Sequence, residues 1–322
     1  MSNISSPYIS IIISCYRPSK ESVVNARMFG KIAKKLNHEI EIIYLFNGLD
    51  EGYADIRKSI SYNLSAHDNC SVMSCSENVG VGPGYQRLCK KAKGKYIYCL
   101  TDNDQISFNN VKNTLDFLKK NKEISIMHQL VNDYYYEESQ LFCGVHEVKS
   151  RSYNTAFAYL CFRYGSLPGI VFSRALFLKK PRNWEEKIYP WPEIAFDAYG
   201  ENIALFDPIE RITIDKGAPA HERFNDRVKR GYDYGFNERY AHRLGAKMEV
   251  KAVYAYLLLN WIARVTLRIN KVDKNLAKKV VRTLRGPNDR RLVGFYYLFR
   301  FRLAFLSTLE SLVGFWFWRS KR

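Results

Sequence analysis

The segment KGKYIYCLTDND, residues 93–104, decides the fold of this chain. Its apolar run Tyr96-Ile97-Tyr98-Cys99-Leu100 follows a turn signal at Gly94 and predicts a buried strand. Thr101-Asp102-Asn103-Asp104 comes directly after, so two carboxylates and an amide lie at the carboxyl end of that strand. Ligands of open α/β sheets collect at this edge, and carboxylates there suit a divalent cation that also binds phosphate oxygens. The alternative interpretation is a turn that caps the following helix.

The composition indicates an ordered chain with unevenly distributed charge. The 322 residues include 23 Tyr and 19 Phe, which excludes a disordered protein, and the length suits one large domain with an appendage, or two domains. The formal net charge is +18, and residues 251–322 hold 16 Lys/Arg against 3 Asp/Glu, a balance of +13. This asymmetry predicts an anionic partner for the C-terminal quarter, either nucleic acid or a membrane surface.

Cysteine usage and hydropathy predict the compartment. The seven cysteines form no C-x-x-C pair, and several lie in apolar runs where Cys acts as a small hydrophobe. Because the N-terminus carries no signal peptide, we expect a reduced, cytosolic protein. No uncharged apolar stretch reaches the roughly 18–20 residues that span a bilayer, so we do not expect an integral helical membrane protein.

Strand and helix patterns alternate along the first 130 residues. The β-branched run 9–14 predicts a first strand, Ser19 the N-cap of a helix through Leu36, and residues 40–46 a second strand. This alternation with short connections implies a parallel sheet. The same patterns predict helices at 56–64 and 108–120 and strands at 71–74 and 124–129.

Three alternate glycines open the helix that precedes the acidic segment. Gly80, Gly82 and Gly84 let the backbone approach a ligand closely and leave N–H groups for anions. Their spacing differs from G-x-G-x-x-G, and the acidic residue of that fingerprint is not in its place. The glycines alone therefore identify no dinucleotide site.

Taken in order, three segments resemble the nucleotide-binding half of GT-A-fold glycosyltransferases, the large inverting family 2 group. They are ISIIISCYRP (9–18), EIIYLFNG (41–48) and ENVGVGPGYQRLCKKAKGKYIYCLTDND (77–104), and the correspondence covers roughly residues 8–130. The resemblance implies an α/β fold, a Rossmann-like and mostly parallel sheet flanked by helices. It also implies transfer of a sugar from a nucleotide-diphosphate donor.

The resemblance also implies a metal site. Asp102-Asn103-Asp104 is similar to the family's Asp-x-Asp motif, whose carboxylates hold Mn²⁺ or Mg²⁺ on the donor diphosphate. We expect Asp104 to bind the cation directly and Asp102 to bind it or contact the ribose. A late His supplies a third ligand in many such enzymes, and His221 is the candidate; the alternative is a structural or solvated loop histidine.

Further positions match the family's nucleotide-sugar contacts. Ser14 and Tyr16 match positions that contact base and ribose, and Asn47 stands where many members carry an Asp that hydrogen-bonds the base. Tyr85-Gln86 stands where Arg-Asn is common. The resulting set of nucleotide-sugar-binding candidates is Ser14, Tyr16, Asn47, Gly82, Gln86 and Asp102.

Two acids in the second half are candidates for the catalytic base. Residues 169–177 are similar to the family segment that precedes the catalytic acid, and Glu193 and Asp197 follow as an i, i+4 pair on one helix face. Pro192 fits the first helical position and places Glu193 in the first turn, so we expect Glu193 to be the base. Asp197 would hold structure or bind acceptor hydroxyls. The alternative is ordinary placement of acids at a helix N-terminus.

The C-terminal quarter has two apolar and basic segments, 254–267 and 292–318. The second carries a broad apolar face with basic edges and predicts an amphipathic helix in the headgroup region of an anionic membrane. The alternative is a helix packed on the catalytic domain.

These observations predict a GT-A domain at 1–248, with a nucleotide-sugar half (1–130) and an acceptor half (131–248), and a helical membrane-associating tail at 249–322. The expected enzyme is a metal-dependent, inverting, hexosyltransferase-type glycosyltransferase at the inner face of the cell membrane. Its acceptor would be a lipid-linked glycan or oligosaccharide of bacterial O-antigen or capsule assembly, as in abequosyltransferase-type enzymes, which the chain also resembles.

Two other functions stay open. A nucleotidyltransferase with a similar sheet would carry a Gly-rich basic signature after the first strand, where this chain has Cys15-Tyr16-Arg17-Pro18. A nucleic-acid binder would use the basic tail, but the tail's aromatic residues share one helical face rather than alternating with Lys/Arg, so we expect no nucleic-acid partner.

Overall fold

The computed structural model describes residues 6–129, 131–133, 136–137, 168–179, 181–184, 194, 197–198, 201–206 and 208–213. The chain divides into two compact units, and all of these residues belong to the first, which comprises 1–156 and 166–215. The second unit, 157–165 and 216–322, lies outside the described residues. The predicted boundary at residue 248 and the amphipathic tail therefore stay predictions.

The first half of the chain alternates strands and helices, as its periodicity predicts. Over all described residues, the strands and α-helices are β1 (Ile9–Cys15), α1 (Lys20–Lys35), β2 (Ile40–Asn47), α2 (Ala54–Ser65), β3 (Cys70–Cys75), α3 (Val81–Lys91), β4 (Tyr96–Thr101), α4 (Phe108–Lys120), β5 (Ile126–Gln129), β6 (Val131–Asp133), β7 (Tyr136–Glu137), β8 (Ile170–Ser173), α5 (Arg174–Leu178), β9 (Ile203–Phe206) and β10 (Ile212–Thr213). None of the described helices is both long and apolar enough to cross a membrane.

The main sheet has seven strands in the order β3-β2-β1-β4-β8-β5-β9. The four strands β3, β2, β1 and β4 pair in parallel, as expected from the alternation of strands and helices. The expected parallel order ends at β8, which lies between β4 and β5 and is antiparallel to both. The sheet is therefore mixed and mostly parallel, in an α/β architecture of the GT-A type. A small second sheet has the order β10-β6-β7.

Helix α1 shows how local sequence sets an element's ends. The Ser19 side chain accepts a hydrogen bond from Ser22 N (3.3 Å), and Ser22 Oγ accepts one from Ser19 N (2.9 Å). This reciprocal cap satisfies backbone donors that the first turn leaves without intrahelical partners. Leu36 ends the helix, so both predicted limits are confirmed. Apolar side chains of the helix, among them Phe29 and Ile32, join the hydrophobic core beneath the sheet.

At the amino ends of β1 and β4, the chain packs so closely that only glycine fits. A Cβ atom on Gly94 would lie 2.5 Å from Ser10 N and 2.6 Å from Ser10 Oγ. The Gly94 N–H donates to Ser10 Oγ (2.7 Å), and Ser10 Oγ donates to Glu41 Oε1 (2.6 Å). This contact fixes the approach of the chain into β4. It therefore also fixes the position of the acidic tetrapeptide, residues 101–104, at the other end of that strand.

We predict that Gly94→Ala lowers the free energy of unfolding by about 1–3 kcal/mol, because the added methyl group forces apart two paired backbones. Urea denaturation followed by circular dichroism measures the change. The control is Gly52→Ala, where the nearest contact of a Cβ would be Asp50 Oδ1 at 3.5 Å, an ordinary distance. Equal stability of the two variants would contradict this assignment.

Candidate active site

The carboxyl ends of β1, β2 and β4 bring the predicted nucleotide-sugar residues to one edge of the sheet. In the parallel register, Ser14 lies opposite Thr101 of β4 on one side and Leu45 of β2 on the other. Asn47 ends β2 two residues beyond Leu45. The residues selected from three separate sequence segments are thus neighbours, and the acidic tetrapeptide is among them.

Asp104 is turned back toward the end of β4. Its side chain is 1% exposed, and its Oδ2 accepts a hydrogen bond from Thr101 N (2.7 Å). The proposed helix-capping role for this tetrapeptide is wrong, because Ser107 is the N-cap of α4 and accepts from Asn110 N at 3.0 Å. The tetrapeptide does form a turn, in which Thr101 Oγ1 donates to Asn103 Oδ1 (2.6 Å).

The charge of Asp104 influences the core beneath it. Burial is the main cause that raises the pKa of the Tyr98 hydroxyl well above its ordinary value, and the Asp104 charge adds to it. Tyr98 is therefore neutral near pH 7, and its O–H points at Gln129 Oε1 (2.9 Å) and Asn110 Oδ1 (3.0 Å). The hydroxyl of Tyr98 is thus a neutral, hydrogen-bonded group in the core near the Asp104 carboxylate.

Asp102 lies partly exposed at the same edge and is held by α1. Ser22 Oγ donates to Asp102 Oδ2 (2.5 Å), and Asn25 Nδ2 donates to the Asp102 carbonyl oxygen (2.9 Å). The thiol of Cys15 lies nearby, and burial first, then the Asp102 charge, raise its pKa far above the ordinary value. Cys15 is therefore a protonated core thiol and not a nucleophile.

Asn47 binds the glycine loop that opens α3. Its Nδ2 donates to Gly80 O (2.9 Å), and its Oδ1 accepts from Val79 N (3.0 Å). Gly80 is the N-cap of α3 and has φ +86°, a left-handed conformation that favours glycine. A Cβ on Gly84 would lie 3.3 Å from both Ser14 Oγ and Asn47 Nδ2. The N-terminus of α3 is thus held against the ends of β1 and β2.

Gln86 and Gly82 lie buried on α3. The Gln86 side chain donates to Arg182 O and accepts from Trp184 N (3.2 Å), so it connects α3 to residues 181–184. In this structure the amides of Asn47 and Gln86 both contact backbone groups of the protein. Their expected contacts with a nucleotide stay predictions.

Tyr16 is 44% exposed at the end of β1, where a planar ligand can reach its ring. The neighbouring Arg17 has φ +57°, and its guanidinium lies 5.1 Å from the Tyr16 ring centroid. Arg17 Nε also lies 3.7 Å from Asp50 Oδ2. Both partners of this pair are largely exposed, so solvent weakens the ion pair. No local sequence signal predicts the left-handed conformation of Arg17.

Of the two candidate bases, only Asp197 lies within the described residues, and it is ion-paired. Arg182 donates to Asp197 Oδ2, and the Arg182 side chain is 1% exposed. The same guanidinium donates to Leu176 O (2.8 Å) and Phe177 O (3.2 Å), at the end of α5. Asp197 therefore neutralises a buried arginine. Glu193 and His221 lie outside the described residues, and their roles stay predictions.

The donor chemistry at the edge fits a hard divalent cation, since carboxylate and amide oxygens are the ligands that Mg²⁺ and Mn²⁺ prefer. Asp102 and Asp104 supply the carboxylates, each oriented by a hydrogen bond. Within the described ranges, no three His, Cys, Asp or Glu residues form a group that could hold a metal ion. The predicted third protein ligand, His221, is outside those ranges.

Sequence reasoning missed Ser22, Asn25 and Arg182, which hold predicted site residues. A signal for the first two exists, because both are polar residues on the face of α1 that is otherwise apolar. No comparable signal identifies Arg182. Its partner Asp197 lies fifteen residues further on, in a segment without clear periodicity.

Comparisons with known proteins identify the family of the chain and support its fold. The family model described as "Glycosyl transferase family 2" matches residues 10–182, more than half of the chain. TarS of S. aureus matches with a TM-score of 0.54 at 14% identity, over 92% of this chain and 52% of TarS, so the chain spans about half the length of that protein. The mannosyltransferase PcManGT from Pyrobaculum calidifontis, solved with GDP-Man and Mn²⁺, matches with a TM-score of 0.56 at 10% identity, over 98% of this chain and 84% of that one.

At these identities the two structures support the fold alone. No curated protein sequence matches the chain significantly. The family model spans β1 to the segment that contains Arg182, which includes the acidic tetrapeptide and the glycine loop. On this evidence the chain belongs to glycosyl transferase family 2.

Proposed function

We propose that this chain transfers a sugar, with inversion, from a nucleotide-diphosphate donor to a hydroxyl group of a glycan acceptor. The observation that carries the proposal is the placement of Asp102 and Asp104 at the carboxyl end of β4, beside Ser14 of β1. The family match supports the same reaction class, and it argues against the nucleotidyltransferase and the nucleic-acid binder.

The donor would lie along the edge formed by β1, β2 and β4. Tyr16 offers an exposed ring to the base, and Ser14 and Asp102 lie where the ribose and the first phosphate would follow. The glycine loop brings the N-terminus of α3 to the same edge, and backbone N–H groups at a helix N-terminus favour an anionic group. Backbone N–H groups of α3 would thus interact with the negative charge of the donor on one side, and a cation bound by the acidic residues would do so on the other.

Asp104 would bind the cation directly, and Asp102 would either bind the cation or contact the ribose. His221 would supply a further protein ligand. A bound Mn²⁺ or Mg²⁺ would neutralise the charge that develops on the departing nucleoside diphosphate. The Mn²⁺ complex of PcManGT is consistent with this assignment. The hydrogen bonds from Thr101 N and Ser22 Oγ fix the two carboxylates before a ligand arrives.

We predict that Asp104→Asn abolishes transfer and leaves the fold intact, because an amide lacks the negative charge that binds the cation. A panel of nucleotide sugars, screened for Mn²⁺-dependent thermal stabilisation, identifies the donor, and release of nucleoside diphosphate then measures transfer. Asp116→Asn is the matched control, since Asp116 is an exposed residue of α4 paired with Lys112. Full activity of the wild type in excess EDTA would contradict the metal assignment.

We further propose that Glu193 is the general base. An acceptor hydroxyl has a pKa far above neutrality, so an inverting displacement needs a carboxylate near its proton. The ion pair between Asp197 and buried Arg182 favours a structural role for Asp197. Glu193 is preferred as the base because Pro192 fits the first helical position and places Glu193 in the first turn.

We predict that Glu193→Gln lowers turnover by about 10²–10⁴-fold, the usual loss for a general base, while nucleotide-sugar binding is nearly unchanged. Asp197→Ala should instead lower the free energy of unfolding by about 3 kcal/mol, since it removes an ion-pair partner of a buried guanidinium. Steady-state kinetics and urea denaturation separate the two effects. If Glu193→Gln keeps near-normal turnover while Asp197→Asn loses turnover at unchanged stability, Asp197 is the general base and Glu193 is not.

The acceptor is proposed to be lipid-linked, in O-antigen or capsule assembly, with the enzyme attached peripherally to the inner face of the membrane. The support is the composition of the tail, whose +13 balance over residues 251–322 accompanies an apolar helical pattern at 292–318. Each Lys or Arg near an anionic leaflet contributes about 1 kcal/mol to binding, and the apolar face adds to it.

We predict that removal of residues 292–322 releases the protein from anionic liposomes and lowers activity on lipid-linked acceptors more than on soluble analogues. Liposome co-sedimentation at low and high salt measures attachment, because a partly hydrophobic attachment persists where a purely electrostatic one is lost. Unchanged sedimentation of the truncated protein would mean that this segment packs on the catalytic domain.

A further inference from the structure

Two polar side chains interrupt the buried face of α1. Ser22 is 1% exposed and Asn25 is 8% exposed, and the face continues with Ala26, Phe29 and Ile32, which are fully buried. Buried polar groups reduce stability unless they are hydrogen-bonded, so their position at the start of an apolar face needs a partner on the opposite element.

Asp102 is that partner for both side chains, 80 residues from Ser22 and 77 from Asn25 along the chain. Ser22 Oγ donates to the carboxylate oxygen Oδ2 at 2.5 Å, and Asn25 Nδ2 donates to the carbonyl oxygen of the same residue at 2.9 Å. One contact therefore orients the side chain of Asp102 and the other its backbone. Because the two donors are one helical turn apart, they act on Asp102 from a single rigid element.

The direction of the Ser22 hydroxyl is itself determined by the helix cap. Ser22 Oγ accepts a hydrogen bond from Ser19 N at 2.9 Å, so its single proton is left to donate to Asp102. The backbone N–H of Ser19, the hydroxyl of Ser22 and the carboxylate of Asp102 form a continuous hydrogen-bonded series. A charged acceptor at the end of such a series makes a stronger hydrogen bond than a neutral one.

We propose that Ser22 and Asn25 are positioning residues that hold Asp102 in the orientation needed to bind the metal–diphosphate part of the donor. The inference rests on the proposed function, in which Asp102 binds the cation or contacts the ribose. Groups that orient a metal ligand from outside the coordination shell typically change metal affinity or activity by about 10–100-fold when they are removed. Neither Ser22 nor Asn25 touches substrate in this assignment, since both lie buried between α1 and the end of β4.

The contacts also give α1 a part in the reaction. Without them, fewer contacts would restrict Asp102 at this partly exposed edge, and donor binding would have to supply more of the restriction. With them, the restriction is made during folding, so the site is formed before the donor arrives. Loss of either contact should therefore weaken the binding of cation and nucleotide more than it changes kcat.

The test uses the full-length protein and measures Mn²⁺ binding by electron paramagnetic resonance of free Mn²⁺, in the presence of UDP and, in parallel, GDP. Ser22→Ala and Asn25→Ala should each weaken Mn²⁺ binding by about 10–100-fold. Ser22→Thr keeps a hydroxyl donor and should restore most of the affinity. Ser19→Ala is the matched control, because it removes the side-chain cap of the same helix and only a long 3.4 Å contact with Ser22 Oγ, but keeps the backbone N–H that orients Ser22.

The outcomes are distinct. Wild-type affinity in Ser22→Ala and Asn25→Ala, or an equal loss in Ser19→Ala, would overturn the inference, the latter because it would trace the loss to the stability of α1. Thermal unfolding of each variant is recorded to distinguish a lost orientation of Asp102 from a lower stability of α1. If the wild-type protein does not bind Mn²⁺ in the presence of either UDP or GDP, the proposed metal site is wrong, and the positioning role is overturned with it.

Discussion

The parallel pairing of β1 with β4 is the constraint on which the candidate site depends. This register sets Ser14 opposite Thr101, so the residues that follow each strand emerge at one edge. The approach of Gly94 to Ser10 at the other end of the same pair admits no side chain, so a shift of the register is costly. A one-residue slip would move Tyr96, Tyr98 and Leu100 to the opposite face of the sheet, where the smaller Ile97 and Cys99 are buried, and would displace the acidic tetrapeptide with them.

Buried polar groups connect this pair of strands to the helices around it. Tyr98 O–H lies within hydrogen-bonding distance of Asn110 on α4 and Gln129 on β5, and Asn110 also donates to Glu210 O. On the other side, Ser22 and Asn25 of α1 reach Asp102. Such networks favour one arrangement of the elements over others, since any other packing leaves buried donors and acceptors without partners. Asp102 is thus held from α1 and Asp104 from the end of β4, while the Tyr98 network connects β4 to α4 and β5.

The sequence predicted the elements of the first half well, because caps and periodicity act locally. Ser19 and Leu36 set the observed limits of α1, and the predicted helix 108–120 has its observed bounds. Periodicity gave less information beyond residue 120, where strands are short: the predicted strand 124–129 begins at Ile126. The antiparallel direction of β8 has no local signal, because it depends on where the chain re-enters the sheet.

The placement of Asp102 and Asp104 directly after a buried strand was predictable from the local sequence, while their binding roles stay predictions. The site was not predictable where it depended on contacts distant in sequence, such as Ser22 with Asp102 or Arg182 with Asp197. The most direct test of the account is a crystal structure of the protein with Mn²⁺ and a nucleoside diphosphate, with the metal located by its anomalous scattering. The account predicts one Mn²⁺ peak bonded to the Asp104 carboxylate, with Asp102 bonded to the metal or to the ribose and the diphosphate facing the N-terminus of α3. A metal–diphosphate bound away from the carboxyl end of β4 would contradict it.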